Sequence, residues 1–251
     1  MSTNPLPGGY AHMHLGRVDS TQAEAARRVA ELPGPTWITA DEQTAGRGRR
    51  GRVWLSPTDN FTATLLLQPK EAPEEVALRS FVASLALFDA FVEATGRPQS
   101  FALKWPNDVL LNGGKVAGIL LEGVGHGNQV GHLAIGIGVN LIGAPEVRDL
   151  EEGAVAPVSL ASETGVTVVP GEFLQLLAPA YARYEAQFTT YGFAPIREAW
   201  LARAAKLGEV ITARTATQEW VGTFETIDTS GNLVLRTAEG QKAIAAADVF
   251  F

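Results

Sequence analysis

A chain of 251 residues, 46% of them hydrophobic, can bury one sizeable core, or one core and a small satellite module. Its 27 acidic and 20 basic residues leave a net charge of -7, the opposite of the global basic bias of most nucleic-acid binders. The absence of cysteine excludes disulfides, thiolate metal sites and a cysteine nucleophile. No run approaches the roughly 18 apolar residues of a membrane span, and "MSTNPLPGGYAHMH" lacks the apolar centre of a signal peptide, so a cytoplasmic location is expected.

His12 and His14 stand two apart, on one face of a possible strand, with no third ligand nearby to suggest a metal. Asp19-Ser20-Thr21 then leads into "QAEAARRVAEL", where Thr21 and Glu24 have capping-box spacing and Ala23, Ala26, Val29 and Ala30 recur at helical intervals up to Pro33. Strand-like "TWITA" (36–40) and "FTATLLL" (61–67) flank an arginine-rich loop. One long helix is predicted over 75–95 from Phe81, Leu85, Phe88 and Val92, ending at Gly96. Short β-rich segments follow, "FALKW", "DVLL", "KVAGILLEG" and "QVGHLAIGIGVNL", with Asn112-Gly113-Gly114 as a hairpin turn. "GEFLQLLAPAYARYEAQF" and "IREAWLARA" read as helices, the first bent or restarted at Pro179. After Leu207 the period returns to two, giving four short strands and a small barrel. The expected class is α+β, with a body over 1–205 and a C-terminal β module over 206–251.

"GRGRRGRVW" begins at Gly46. Its glycines at 46, 48 and 51 satisfy G-x-G-x-x-G, but no strand closes directly before them and no helix opens after them, so the dinucleotide fingerprint fails. A phosphate loop fails as well, because Arg52 and Val53 stand where Lys and Ser or Thr are needed. What remains is a flexible cationic loop able to close around a small anion, or, more plainly, a solvated charge run.

The second unusual stretch is "KWPNDVLLNGGKVAGILLEG", Lys104 to Gly123. Pro106 keeps Trp105 out of helical geometry, and Asn107 and Asp108 display polar groups at a corner. Simple alternation puts Lys115 on one strand face with Ala117, Ile119 and Leu121, an apolar setting in which an ammonium needs an anionic partner, and puts Gly118 one residue off that face. An ordinary hairpin with a solvated lysine explains the same residues. Likewise Ser20 and Thr21 serve as helix caps, Asn140 after Gly136-x-Gly138 as a strand-ending turn, and Glu74-Glu75 and Glu151-Glu152 as solvated charges. His126 and His132 sit among glycines, and no Ser/His/Asp arrangement can be defended from spacing.

Taken together, "DST", "GRGRRGRVW", "KWPND", "GGKVAGILLE" and "GIGVNL", in this order over roughly residues 15 to 250, resemble the biotin protein ligases. The resemblance implies a class II synthetase-like catalytic domain with a mixed β-sheet and flanking helices, followed by an SH3-like β-barrel domain. It implies activation of biotin by ATP with Mg2+ to biotinyl-5'-adenylate, and transfer to a lysine of the biotin carboxyl carrier protein of acetyl-CoA carboxylase. Biotin carboxylate and α-phosphate are both anionic; at about 4 Å two like unit charges repel by roughly 4 kcal/mol at an effective dielectric of 20. Cations must lie between them.

By motif, biotin would contact Ser20, Thr21, Gln22, Gln43, Gly46, Arg47, Gly48, Arg49, Lys115 and Gly118. ATP or the adenylate would contact Arg49, Arg52, Trp54, Lys104, Asn107, Asp108 and Asn140, with Trp54 stacking on adenine. Lys115, Arg47 and Asp108 are the catalytic candidates implied, and no protein metal site is. Gly46 to Trp54 is expected to close over the adenylate. Many relatives carry Asn where this chain has Gln22, which leaves that contact open. Only 18 residues precede Asp19, so no winged helix-turn-helix, operator binding or nucleic-acid partner is expected. Homodimerisation through a sheet edge is compatible with the family. The rivals are a lipoate ligase, a nucleic-acid-binding module and a biotin sensor without catalysis.

Overall fold

The computed structural model describes residues 4–32, 34–124, 131–146 and 155–251; His126, Glu151 and Glu152 lie outside the described residues. The chain opens with two strands, β1 (Asn4–Leu6) and β2 (Tyr10–Val18). The second contains the possible strand of His12 and His14, but period two marks its extent poorly because along it only Tyr10 and Met13 are buried. His12 and His14 lie on it and both meet the Thr39 hydroxyl, at 2.8 and 3.1 Å. Ser20 then caps α1 (Thr21–Arg28) by accepting from the Gln22 N–H at 3.2 Å.

β3 (Thr36–Gln43) and β4 (Phe61–Leu67) run through the centre, the latter buried along its whole length. The helix expected over 75–95 is two, α2 (Pro73–Ala77) and α3 (Arg79–Thr95). They separate because the turn around Leu78 tightens: its N–H bonds back to Glu75 O at 3.1 Å, and the Phe81 N–H to Leu78 O at 3.0 Å, both three residues apart. β5 (Phe101–Lys104), β6 (Asp108–Leu111), β7 (Gly114–Val124) and β8 (His132–Val139) follow. The turn from β6 to β7 has Asn112 at φ 50° and Gly113 at φ 84°, as a two-residue hairpin requires.

α4 (Leu160–Thr164), α5 (Pro170–Tyr191) and α6 (Phe193–Leu201) complete the body. α5 passes through Pro179 without interruption. The carbonyl left without its usual donor belongs to Gln175, an exposed residue, so water can satisfy it while Phe173, Leu177, Tyr181, Tyr184 and Phe188 stay buried.

The large sheet has the order β1-β2-β3-β4-β8-β7-β6-β5 and is antiparallel except for the parallel β2–β3 pair. α3 and α5 cover one face over a core that includes Trp37, Phe61, Leu65, Phe91 and Tyr181. α1 covers only part of the other, over Met13, Ile38, Leu66 and Ala134. The remainder of that second face, over β7 and β8, is where the cleft lies. The outer edge of β5 is bonded at Leu103 by the backbone of Arg203 and Ala205, both at 2.8 Å.

The C-terminal module is a five-stranded antiparallel sheet of order β12-β11-β10-β9-β13: β9 (Val210–Arg214), β10 (Glu219–Ile227), β11 (Leu233–Thr237), β12 (Gly240–Ile244) and β13 (Asp248–Phe250). The fifth strand, three residues long, is too short for periodicity to register. The Trp105 indole N–H, beside the cis peptide to Pro106, donates to Gly231 O at 3.0 Å and ties the body to this module.

Candidate active site

β7 and β8 pair with Gly118 opposite Gly138 and Leu120 opposite Gly136. Three glycines therefore pave the open face with bare backbone, and side chains from elsewhere lie directly on it. A Cβ at Gly138 would fall 2.3 Å from Trp54 Cε2, and one at Gly136 2.6 Å from Gln22 Cδ. Above this floor is a cavity of about 500 Å³. The Trp54 indole N–H is buried there, with no hydrogen-bond partner among the described residues.

Lys115 reaches this cavity by a route that strict alternation misses. Val109 pairs with Ala117 but Leu110 pairs with Lys115, so Val116 is an extra, bulged residue in β7. The bulge turns Lys115 away from Ala117 and Ile119, which join the core under α3, and onto the face of Gly118. The expectation that Lys115 shares a face with Ala117, Ile119 and Leu121 is thus corrected: a Cβ on Gly118 would lie 3.3 Å from the lysine Nζ. The ammonium is 2.7 Å from Asp108 Oδ1, an ion pair rather than an aligned hydrogen bond, and 5.5 Å from the Trp54 ring. Lys104 stands 4.0 Å from the other Asp108 oxygen. Burial holds the Lys104 ammonium below its usual lysine value, with Asp108 opposing that shift.

The opposite end of the cleft is built by the start of α1. Thr21 donates to Gln43 Oε1 from both N–H (2.8 Å) and hydroxyl (3.0 Å), and takes a bond from the Thr64 hydroxyl at 2.8 Å. Gln43 is left presenting its NH2 group. Gln22 donates its NH2 to Leu120 O at 3.0 Å, which leaves Oε1 as its acceptor. Ser20, whose oxygen accepts from Gln22 N–H, keeps a hydroxyl donor. Two residues of strand separate the level of Gly136 from that of Gly138, so the α1 end and the lysine end lie about 7 Å apart along β8.

The arginine loop is a miniature hairpin in this structure, with Arg47 bridged to Val53, Gly48 N–H donating to Arg52 O at 2.7 Å, and a 3-10 turn over Arg49–Gly51. Arg47 pairs with Glu122 at 3.3 Å. Arg49, Arg50 and Arg52 converge on Asp248 of β13, at 4.0, 3.1 and 2.7 Å. Burial lowers the Arg49 pKa, opposed by Asp248 and Asp108, yet a guanidinium starts so high that it stays charged at working pH.

Of the ligand-contact positions that the resemblance implies, all line the cavity except Gly46. Gly46 is needed for a different reason: a Cβ there would sit 2.6 Å from Trp54 O, against the closing bond of the hairpin. Asn107 and Asn140 both use their amide nitrogens on backbone, Ile119 O at 2.5 Å and Val158 O at 3.1 Å, so they shape the wall as well as face it. Asp248, Val249 and Phe250 also line the cavity and were not foreseen. Asp248 lies almost 200 positions from the arginines it meets, in a tail whose sequence carries no motif.

Both the sequence and the fold resemble those of known proteins. Residues 15–140 match the Biotin/lipoate A/B protein ligase family, and residues 206–251 the Biotin protein ligase C terminal domain. The Paracoccus denitrificans biotin--[acetyl-CoA-carboxylase] ligase is 59% identical over 94% of this chain and 99% of its own length. The chain belongs to the biotin protein ligase family. Among other members, a bifunctional ligase/repressor of Bacillus subtilis is 34% identical over 95% of this chain, which spans 72% of that protein. A biotin protein ligase from Aquifex aeolicus, solved in complex with biotin and ATP, superimposes with a TM-score of 0.79 at 29% identity, over 95% of this chain and 97% of that one. The biotin protein ligase fold is therefore the mixed-sheet body with helices and a C-terminal SH3-like module described above.

Proposed function

We propose that this biotin protein ligase family member activates biotin with ATP to biotinyl-5'-adenylate and transfers the biotinyl group to a specific lysine of the biotin carboxyl carrier protein of acetyl-CoA carboxylase, in the cytoplasm. The observation that carries this reading is the polarity of the cleft: hydrogen-bonding groups at one end and fixed cations at the other, with a glycine floor between. The ureido ring of biotin has one carbonyl and two N–H groups. Ser20 and Gln43 supply donors for the first, and the Gln22 Oε1 an acceptor for an N–H. Gln22 thus keeps a ligand role despite replacing the Asn of many relatives. The valeryl chain then runs from the Gly136 end past the Trp54 indole, which covers Gly138 and Gly118, toward Lys115, Arg47 and Arg49.

In the first step a biotin carboxylate oxygen bonds to the α-phosphorus and pyrophosphate leaves. Lys115 and the guanidiniums offset the repulsion between the two acids and hold them in contact, each charge-assisted hydrogen bond contributing about 1.5–3 kcal/mol. Arg49, Arg52 and Lys104 face the phosphates, and Trp54, Asn107 and Asn140 the nucleoside. In the second step the acceptor amine attacks the acyl carbon and AMP leaves. Once anionic ligand occupies Lys115, Asp108 is free to take the amine proton. Among the described residues no group of three or more His, Asp or Glu is placed to hold a metal ion, and Asp108 and Asp248 are each paired with cations. Magnesium is taken to enter as part of the MgATP substrate, held by its phosphates, and no step is assigned to a protein metal site.

Incubation with biotin, MgATP and a carboxyl carrier domain is expected to add one biotinyl group to the carrier, read by mass spectrometry, and biotin rather than lipoate is expected to support pyrophosphate exchange. Exchange driven by lipoate alone would transfer the assignment to a lipoate ligase. Hydrogen exchange over residues 46–54 is expected to slow when biotin and ATP are added together, as the hairpin closes on the adenylate and excludes water; unchanged exchange there would refute closure. We assign no operator-binding role, and a biotin-operon promoter fragment showing a sequence-specific shift would overturn that. A homodimer formed by sheet extension would use β1, since the edge of β5 is engaged by residues 203–205.

A further inference from the structure

We infer that Asp248, on the last strand of the C-terminal module, is a positioning residue that holds the arginine hairpin in its ATP-binding arrangement. This rests on the ligase reading and deepens it. Three guanidiniums, Arg49, Arg50 and Arg52, share this one carboxylate, at 4.0, 3.1 and 2.7 Å, and Arg49 also donates to Ala247 O at 3.3 Å. Like charges brought this close repel, so the cluster needs an anion to persist, and among the described residues Asp248 is the carboxylate common to all three.

Asp248 is also poorly suited to block the site. Each arginine carries five N–H donors, whereas one carboxylate offers two oxygens. Most donors therefore stay open to phosphate oxygens, and two of the three positive charges are left uncompensated. Arg49, Arg52 and Asp248 line the cleft while Arg50 does not, so Arg50 serves as a strut that adds to the clasp from behind. The hairpin's own hydrogen bonds fix its local shape, but Arg50 at φ 56° and Gly51 at φ 73° form a turn that touches no other part of the body through them. Arg47 on Glu122 and Trp54 on Gly138 anchor its base, and the tie to Asp248 sets where its tip sits. The C-terminal module thereby acts on adenylation without contributing a reacting group.

The test is biotin-dependent pyrophosphate exchange with ATP varied, in Asp248→Asn, Asp248→Glu, Arg50→Gln and the parent, together with limited trypsin cleavage after the loop arginines. For Asp248→Asn the KM for ATP is expected to rise about tenfold while kcat and the KM for biotin stay within about threefold, and tryptic cleavage of the unliganded loop to speed up about tenfold. Asp248→Glu should restore both to within about threefold of the parent. Arg50→Gln, which weakens the clasp without removing a cleft residue, should raise the KM for ATP about threefold, and it decides the matter if Asp248→Asn does not fold. An ATP KM unchanged or lowered, or Glu as damaging as Asn, would overturn the assignment. A parent that makes no adenylate would instead overturn the ligase reading, and the cleavage rates would still report on the clasp.

Discussion

Replacing Lys115 with alanine is expected to slow adenylate formation by about 100- to 1000-fold, in the range found when a single preorganised transition-state donor is removed. The ammonium reaches the cleft floor beside Gly118, where two acids must meet, and nothing in alanine replaces its charge. Folding should survive. Asp108 would lose its partner at 2.7 Å but keep Lys104 at 4.0 Å, so no carboxylate is left without a cation. A cost of about 1 kcal/mol would lower Tm by roughly 2–4 °C for a chain of this size. Arginine is not expected to rescue the variant, because its planar fork does not place a point charge where the compact ammonium does. Supplying preformed biotinyl-5'-adenylate should restore transfer to within about tenfold of the parent, since the electrostatic difficulty lies in the first step. Pyrophosphate exchange measures the one, carrier biotinylation the other. Retention of more than about a tenth of the parent exchange rate would remove Lys115 from the mechanism.

Gly138→Ala is expected to raise the KM for ATP at least about tenfold. The new methyl group would lie 2.3 Å from the Trp54 indole, and the strand beneath it is fixed by pairing on both sides, so it is the indole that must leave. A displaced indole no longer offers its face to adenine. Aromatic stacking on a base contributes about 1–3 kcal/mol, and 1.4 kcal/mol corresponds to a factor of ten. Alanine is well accommodated by an interior strand, so the fold should be kept. Biotin affinity without ATP is expected to change much less, because Gln22 lies over Gly136 and Gln43 is held by Thr21, both away from Gly138. The double variant with Trp54→Ala provides the control: both changes remove one platform, so their effects should not add. Full additivity, or an unaltered ATP KM in the single variant, would mean that adenine rests elsewhere.

Much of this was legible in the amino-acid order. β4 is a β-prone run of Phe, Thr, Ala and Leu, and β6 and β7 are joined by Asn-Gly, so local chemistry alone sets their limits. Most of the cleft residues are legible because they fall in five compact motifs. What escaped was non-local. β2 lies in a segment rich in proline and glycine and pairs in parallel with β3 across a helix, a contact that leaves no local signature. Asp248 is an isolated acid after three alanines, and only the docking of the C-terminal module gives it a partner. Pro179 does not restart the helix, since the buried face of α5 runs through it on both sides. The face of Lys115 was misread for the simplest reason: counting by twos assumes a ladder without an extra rung.

That extra rung has a consequence for how the hairpin can change. The turn at Asn112–Gly113 and the insertion at Val116 together set which residue of the stretch 114–116 projects over the floor. Deleting one residue between them would offer the cleft a neighbour of the lysine in its place, while the rest of the sheet stayed in register. Turn length and insertion are thus bound to vary as a pair, and a relative whose hairpin is one residue shorter would have to carry its amine one position along the chain.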